Sequence, residues 1–259
     1  MVNQFHKEFS NIPLTAKNYS RVTFGIKNSH LKYTILKCET NKEIIDHVKK
    51  ITEEKEKYTM DLSQNLDFRD RNEKLTKLFQ GIYAETYLHK LLELVLNSKN
   101  FSVLRWDLER PSFQYNTDEY DLKIIKDSTI EYTVESRSSQ NYKYSLRYGV
   151  ENFDIIGPYV NSVKTQEDYN DFYLRPLFQY ADHSTNNSME NNYSTFTDLL
   201  LQDSISLYII TGCHKEMMYI APVKSMKQKS NYQHIPHVFV PDIINFIQSL
   251  RTTVGYKKK

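Results

Sequence analysis

The chain has 259 residues and a formal net charge of +2, so it fits one large domain or two small ones and is no general polycation for coating nucleic acid. Only 6 glycines occur, and neither GxGxxG nor GxxxxGK[ST] is present. Both observations argue against a Rossmann enzyme and a P-loop enzyme, and no nucleotide cofactor is expected.

The first part of the chain predicts a hairpin followed by two helices. Residues 20–37 alternate polar and apolar side chains about a turn at 28–29, which indicates two strands. A capping box at 40–43 begins a helix that we expect to end near Tyr58. The strongest helical periodicity of the sequence then runs from about 71 to 97.

The rest of the chain predicts strands and one last helix. Short apolar runs predict strands at 101–106, 120–125, 129–137, 153–160, 171–177, 206–211 and 217–222. A polar stretch at 181–195 predicts a long surface loop, and the last helix begins at 241–242. The order predicts an α+β protein of α/β/α type, with a central mixed β-sheet flanked by helices. We expect residues 1–66 to form an N-terminal elaboration packed on a core of 67–259.

The candidate chemistry lies on two neighbouring predicted strands. Glu135 and Arg137 are two residues apart and share one strand face. If the two strands form a hairpin, Asp121 lies opposite about Thr133 and diagonal to Glu135. Clustered carboxylates repel unless a divalent cation bridges them, and Mg²⁺ prefers one or two carboxylates with water and phosphate oxygens. Beside a cation that binds phosphate, such residues suit metal-assisted hydrolysis of a phosphodiester.

This pattern resembles the PD-(D/E)XK nuclease superfamily, the fold of most type II restriction endonucleases. That family places an Asp on one strand and Glu-x-Lys on the next. Asp121 and Glu135 match the two acids, and Arg137 stands where the lysine usually is. The family often has a preceding helix whose Glu helps to hold metal, as the sequence GIYAE ending at Glu85 would. The run at 153–156 resembles the strand that follows the motif.

The resemblance, which covers about residues 75–160, implies a restriction-endonuclease-like core. It implies Mg²⁺, with Mn²⁺ as a substitute, held by Asp121, Glu135, the carbonyl of Ser136, and Glu85. Arg137 would bind the scissile phosphate and orient the attacking water, because a guanidinium does not lose its proton at ordinary pH. The implied protein is a type II site-specific restriction enzyme that cuts double-stranded DNA, as a homodimer at a two-fold symmetric site.

Two basic segments and one polar loop predict the DNA contacts. Neither 136–150 nor 222–240 contains an acid, and the first interleaves three cations with three tyrosines. The candidate contacts are Tyr142, Lys143, Arg147 and Lys224. The Asn- and Ser-rich loop at 181–195 has the hydrogen-bonding groups to read base edges.

Several alternatives stay open. Asp121-Leu122-Lys123 is itself Asp-x-Lys, with Asp107 upstream on a predicted strand. Glu85 and His89 could simply pair at i,i+4 on the helix edge, and the strand acids could form a solvated face with cross-strand pairs. At the level of function, the alternatives are a nuclease-like DNA-binding module without catalysis, a nuclease that acts on branched DNA, and a protein-interaction module.

The compartment is predicted from cysteine usage and apolar runs. Cys38 and Cys213 are far apart and match neither a zinc ligand set nor a disulfide framework, which suits a reducing compartment. The N-terminal residues lack an apolar run, and no run in the chain approaches about 18 apolar residues. We therefore expect a cytoplasmic protein with no membrane partner.

Overall fold

A computed structural model describes residues 14–26, 32–59, 68–114, 120–161, 167–182, 192–226 and 230–256. Within these ranges the chain is a mixed α+β protein with two sheets and seven α-helices, which confirms the predicted class. The turn at 28–29, most of the 181–195 loop, and Lys227 and Lys229 lie outside the described residues. No helix in the described ranges is both long and apolar enough to cross a bilayer.

The predicted hairpin, the first two helices and the final helix all occur close to their expected bounds. The strands are β1 (Tyr19–Gly25), β2 (Lys32–Cys38), β3 (Phe101–Arg105), β4 (Leu122–Lys126), β5 (Ile130–Ser136), β6 (Ser139–Asn141), β7 (Asp154–Asn161), β8 (Phe172–Tyr180), β9 (Ile205–His214), β10 (Val223–Met226) and β11 (Ser230–Pro236). The helices are α1 (Lys42–Glu56), α2 (Arg71–Val95), α3 (Trp106–Glu109), α4 (Leu146–Asn152), α5 (Tyr193–Leu201), α6 (Lys215–Tyr219) and α7 (Ile243–Thr253).

The large sheet has the strand order β1-β2-β9-β8-β5-β4-β3, and β6 also pairs with β8. Its pairs are antiparallel except that β5 and β6 run parallel to β8, one after the other along the same strand. A second, antiparallel sheet has the order β10-β11-β7. Because β2 pairs with β9, the β1–β2 hairpin of the first 66 residues belongs to the same sheet as the later strands. The boundary at residue 66 stays a prediction.

Helix α2 is the central element of the core. Asp70 begins it by accepting a hydrogen bond from the backbone N–H of Glu73 at 2.8 Å. Its aromatic residues Phe79, Tyr83 and Tyr87 are buried and contact one another in series. The Tyr87 hydroxyl donates a hydrogen bond of 2.6 Å to the backbone carbonyl of the residue directly after β2. This packing anchors α2, whose fifth turn carries the candidate ligand Glu85, in the core.

Two predicted elements of the second half are wrong. The segment 217–222 was expected to be a strand, but α6 ends at Tyr219 and β10 begins only at Val223. A short apolar run is compatible with a helix as well as with a strand. Here Met218 lies in a helical turn, and that turn buries its side chain. The predicted loop at 181–195 also ends early, because Asn192 caps α5 by accepting the N–H of residue 195.

Substitution of Gly212 tests the contact between β9 and α7. An added Cβ would lie 2.7 Å from ring carbons of Phe246 and 2.8 Å from the carbonyl oxygen of Tyr173. We expect Gly212→Ala to lower the free energy of unfolding by about 1–3 kcal/mol, measured by urea denaturation. The matched control is Gly25→Ala, where nothing lies within 4 Å, with a change within about 0.5 kcal/mol. Equal effects in both variants would contradict this packing.

Candidate active site

The β4–β5 hairpin brings the two motif acids closer than the sequence predicts. Its pairing places Lys123 opposite Thr133, so continuing the register by two positions puts Asp121 opposite Glu135. The expected partner of Asp121, Thr133, is therefore wrong by two positions. The turn occupies 127–129, one residue further along the chain than the 126–128 that the two predicted strands leave between them. Asp127 and Ser128 in this turn adopt positive φ angles of 50° and 60°.

Asp121 is held in place by the strand that carries the other acid. Its Oδ2 accepts the backbone N–H of Ser136 at 2.7 Å. Burial raises the pKa of Asp121 well above its usual value, and the negative charges of Glu135 and Glu85 raise it further. The Ser136 N–H and the charge of Arg137 act in the opposite direction without cancelling the rise. Glu135 and Glu85 therefore both repel a negative charge on Asp121.

Both carboxylate oxygens of Glu135 already have protein partners. Oε1 lies 2.8 Å from Nε of Arg137, and Oε2 accepts the side-chain amide of Asn170 at 3.0 Å. The backbone N–H of Asn170 donates in turn to the hydroxyl of Tyr173, the residue beside Glu135 in the parallel β5–β8 pairing. Sequence reasoning missed Asn170, for which the only signal is the polar run at 167–171 directly before β8.

Arg137 is mostly buried between carboxylates and an aromatic ring. Its Nη2 lies 2.5 Å from Glu167, and its guanidinium carbon lies 4.4 Å from the centre of the Tyr159 ring. Burial alone would lower the pKa of Arg137, but the charges of Glu135 and Glu167 outweigh it and raise the pKa. Arg175 donates to the Arg137 carbonyl at 2.6 Å. Nη1 and Nε of Arg137 are buried and make no hydrogen bond within the described structure, although Nε lies within ion-pair distance of Glu135.

The donor set fits a hard divalent cation. Among the described residues, no three His, Cys, Asp or Glu side chains gather into a ready ligand group. Mg²⁺ needs only one or two carboxylates and completes its shell with water and phosphate oxygens. Oδ1 of Asp121 accepts no hydrogen bond from any described residue, so it can take a metal, and a cation there would offset the repulsion among the three acids.

Glu85 and His89 lie on the helix behind the hairpin. The charge of Glu85 acts on Asp121 and also on the buried Arg105, whose Nη1 donates to Thr86 Oγ1 at 2.5 Å. His89 Nε2 lies 2.9 Å from the carbonyl of a β3 residue and 3.6 Å from the carboxylate of Glu93. His89 therefore ties α2 to β3, whereas the charge of Glu85 acts on residues of the candidate site and of β3.

The residues of the alternative Asp-x-Lys pattern belong to separate ion pairs. Asp107 lies in the short helix α3, not on the expected strand, and is buried 2.8 Å from Lys55 and 3.4 Å from Arg110. Lys123 lies 2.9 Å from Glu131, its diagonal neighbour on β5. These contacts favour the pairing of Asp121 with Glu135 as the candidate site.

Loss of the Asp107 charge is expected to destabilise the fold. Burial raises the pKa of Asp107, but Lys55 and Arg105 outweigh it and hold the pKa below its usual value. The stabilisation is thus present above about pH 4 and is lost as pH falls through the lowered pKa. We expect Asp107→Asn to cost about 3–5 kcal/mol at pH 7, with a smaller difference near pH 3, in denaturant titrations. Asp127→Asn, in the hairpin turn, is the control, and an equal loss there would contradict the expectation.

The predicted DNA contacts differ in exposure. Lys143 is exposed, with its Nζ 5.5 Å from the centre of the Tyr142 ring. Tyr142 is half-buried, edge-on to Tyr180 at 6.4 Å, so little of its ring is available. The exposed tyrosine rings of this segment are those of Tyr144 and Tyr148. The sequence-based prediction names Tyr142 and not these two as a DNA contact.

The two remaining predicted DNA contacts, Arg147 and Lys224, each lie close to an acidic side chain. Arg147 lies 2.9 Å from Glu151, one helical turn further along α4. Lys224 lies 3.7 Å from Asp154 on β7, although no acid is present in its own segment. Both cations stay about half exposed, so these are surface pairs of small energetic weight.

Comparison with known proteins returns one distant relative. No family model matches the chain, and no solved structure matches it. The chain is 25% identical over 222 residues to an uncharacterized protein of Methanocaldococcus jannaschii, MJECS01, and the match covers 78% of each chain. At this identity the relative assigns neither a family nor an activity.

Proposed function

We propose that the protein is a Mg²⁺-dependent endonuclease that hydrolyses phosphodiester bonds of double-stranded DNA. The observation that carries the proposal is the placement of Asp121, fixed by the Ser136 N–H, opposite Glu135 and within the field of Glu85. Three mutually repelling carboxylates beside a permanently charged guanidinium are costly for stability and suited to a metal and a phosphate. The order of helix, antiparallel hairpin and parallel neighbouring strand supports the nuclease resemblance. The parallel neighbour is β8, however, and not the strand predicted at 153–156, which belongs to the second sheet as β7.

Each residue has a role in this proposal. Asp121 and Glu135 would hold the cation, with the Ser136 carbonyl as a further ligand and Glu85 in support. When bound, Mg²⁺ or Mn²⁺ supplies a nucleophilic water and stabilises charge on the phosphate oxygens. Arg137 would bind the scissile phosphate and orient the attacking water, and Glu167 and Tyr159 keep its guanidinium in one orientation. Asn170 keeps the Glu135 carboxylate in place.

The favoured subtype is a type II restriction enzyme, acting as a cytoplasmic homodimer. A two-fold symmetric dimer would place one site on each strand of a symmetric sequence. Cleavage at one fixed sequence with both strands cut supports this subtype. Cleavage only at branches or single-stranded regions supports a structure-selective nuclease with the same site.

A DNA-binding module without catalysis is the second candidate. The observation in its favour is that Arg137, which departs from the lysine of the family pattern, is already paired with Glu135 and Glu167. In such a module the ion pairs of Arg137 with the two acids would stabilise the fold, and no phosphate would take the place of either acid. Metal-independent DNA binding without cleavage would support it.

One experiment separates these functions. The purified protein is incubated with supercoiled plasmid in Mg²⁺, in Mn²⁺ and in excess EDTA, and any new ends are sequenced. We expect nicked or linear product in either metal and none in EDTA. Binding without product in any metal would favour the inactive module, and absence of both binding and product would favour a protein-interaction module.

A further inference from the structure

Two exposed tyrosine rings are held in a fixed place beyond the candidate site. Tyr144 and Tyr148 stack with ring centres 4.2 Å apart and planes 26° from parallel. Each keeps a large part of its surface exposed, 44% and 41%. Single exposed aromatic residues are ordinary, but a stacked pair with one open side is a surface onto which a further flat ring can stack.

A buried amide pair fixes the backbone beneath these rings. The side chains of Asn141 on β6 and Gln179 on β8 hydrogen-bond to each other at 2.7 Å, and each donates to the Tyr144 carbonyl at 3.0 Å. Asn141 also accepts the Tyr144 N–H at 3.2 Å, and the Ser145 hydroxyl accepts the N–H of Tyr148 at 3.2 Å. The rings are thus ordered before any ligand arrives, which lowers the entropy cost of binding.

The charges around the rings define the chemistry of a ligand. Lys143 precedes the first ring and is exposed. Arg147 lies between the two rings in sequence, and its pair with Glu151 is a surface pair that a phosphate can displace. Open aromatic faces between cations suit a flat ring next to negative charge, which is the chemistry of a base and its flanking phosphates. A base inside a duplex has both faces covered, so the matching ligand is unpaired.

We propose that Tyr144 and Tyr148 form a stacking platform for an unpaired base of the DNA strand, with Lys143 and Arg147 binding its flanking phosphates. The proposal rests on the proposed function and narrows its substrate to DNA that has, or acquires on binding, an unpaired base. It is independent of which sequence or structure directs cleavage.

The sheet sets the distance between the platform and the candidate site. Glu135 pairs with Tyr173 and Asn141 pairs with Gln179, six positions further along β8. At about 3.3 Å per residue, Asn141, which lies beneath the platform, is about 20 Å along the sheet from Glu135. The platform and the candidate site are therefore two separate surfaces joined by one sheet.

Binding of single-stranded oligonucleotides that contain the fluorescent base 2-aminopurine tests the platform. In EDTA, to prevent cleavage, the parent should bind and quench the fluorescence by stacking. Tyr144→Ala with Tyr148→Ala should weaken binding by about 10-fold or more and abolish quenching, whereas the two Phe substitutions should retain both. Tyr58→Ala, an exposed tyrosine at the end of α1, is the matched control and should behave as the parent. Circular dichroism of each variant checks that it is folded.

Three outcomes would overturn the platform: quenching that persists in the double alanine variant, a Phe variant as weak as the alanine variant, or a parent that binds the oligonucleotide without quenching. Plasmid cleavage in Mg²⁺ is measured separately on the same preparations. Cleavage by a protein that fails the quenching test would leave the proposed function standing. Quenching without cleavage in any metal would support the platform and overturn the proposed function.

Discussion

Asp121→Asn is expected to abolish metal-dependent cleavage and, at neutral pH, to raise the free energy of unfolding. The substitution removes the carboxylate whose Oδ1 is open to a cation, so we expect a loss of at least about 10²–10³ in rate. DNA binding should be retained or become tighter, because one negative charge near the phosphates is gone. The amide oxygen can still accept the Ser136 N–H, so the local fold should be kept.

The gain in stability has a defined pH dependence. The folded state raises the pKa of Asp121, so it disfavours the ionised form relative to the unfolded chain. The resulting penalty is absent below about pH 4 and grows as pH rises through the raised pKa. Asp121→Asn should therefore be more stable than the parent at pH 7 and equal to it near pH 4. Denaturant titrations at both pH values measure the difference.

Metal dependence provides a second, independent measurement. Added Mg²⁺ should raise the melting temperature of the parent, because it binds the folded state, and should leave that of Asp121→Asn unchanged. The control is Asp127→Asn, a carboxylate at the other end of the same hairpin, which should keep cleavage and the response to Mg²⁺. A variant Asp121→Asn that cleaves at the parental rate, or an equal response to Mg²⁺ in all three proteins, would contradict the assignment.

The parts of the fold that follow from local periodicity were predicted well. Helix α2 was placed within two residues at its C-terminal end because its apolar residues recur on several faces over 25 residues. The 217–222 segment failed because a run of six residues carries too little periodicity to separate helix from strand. The N-terminal hairpin was predicted from alternation, but its place at the edge of the large sheet depends on β9, some 170 residues away, and no local pattern encodes that pairing.

The candidate site shows the same division between local and distant information. The sequence predicted that Glu135 and Arg137 share a strand face and that Asp121 lies near them, because all three residues belong to two consecutive predicted strands. Their actual register depended on a turn with two positive φ angles, which Asp and Ser adopt only in context. Asn170 and Glu167 reach the motif from the segment before β8 and became visible only once β8 paired with β5.

Arg137→Ala is expected to lower the cleavage rate by about 10²–10³, comparable to the loss of one transition-state donor. The guanidinium is the only cation placed directly beside Glu135 by the motif, and its fork matches phosphate oxygens. Arg137→Lys should keep partial activity, because a point charge still stabilises the transition state. The pH–rate profile should show no ionisation from position 137, because the neighbouring acids raise its already high pKa.

Stability has to be separated from catalysis in this test. Removing Arg137 leaves Glu135 and Glu167 without their shared partner, and breaking a buried pair costs about 3–5 kcal/mol. Rates are therefore compared at a temperature where circular dichroism shows each variant folded, with Arg71→Ala, an exposed arginine paired with Glu56, as the control. If folded Arg137→Ala cleaves DNA as fast as the parent in Mg²⁺, the catalytic cation lies elsewhere. Lys123 is then the first candidate, since it projects from β4 two residues beyond Asp121, and it would have to leave Glu131 to reach the phosphate.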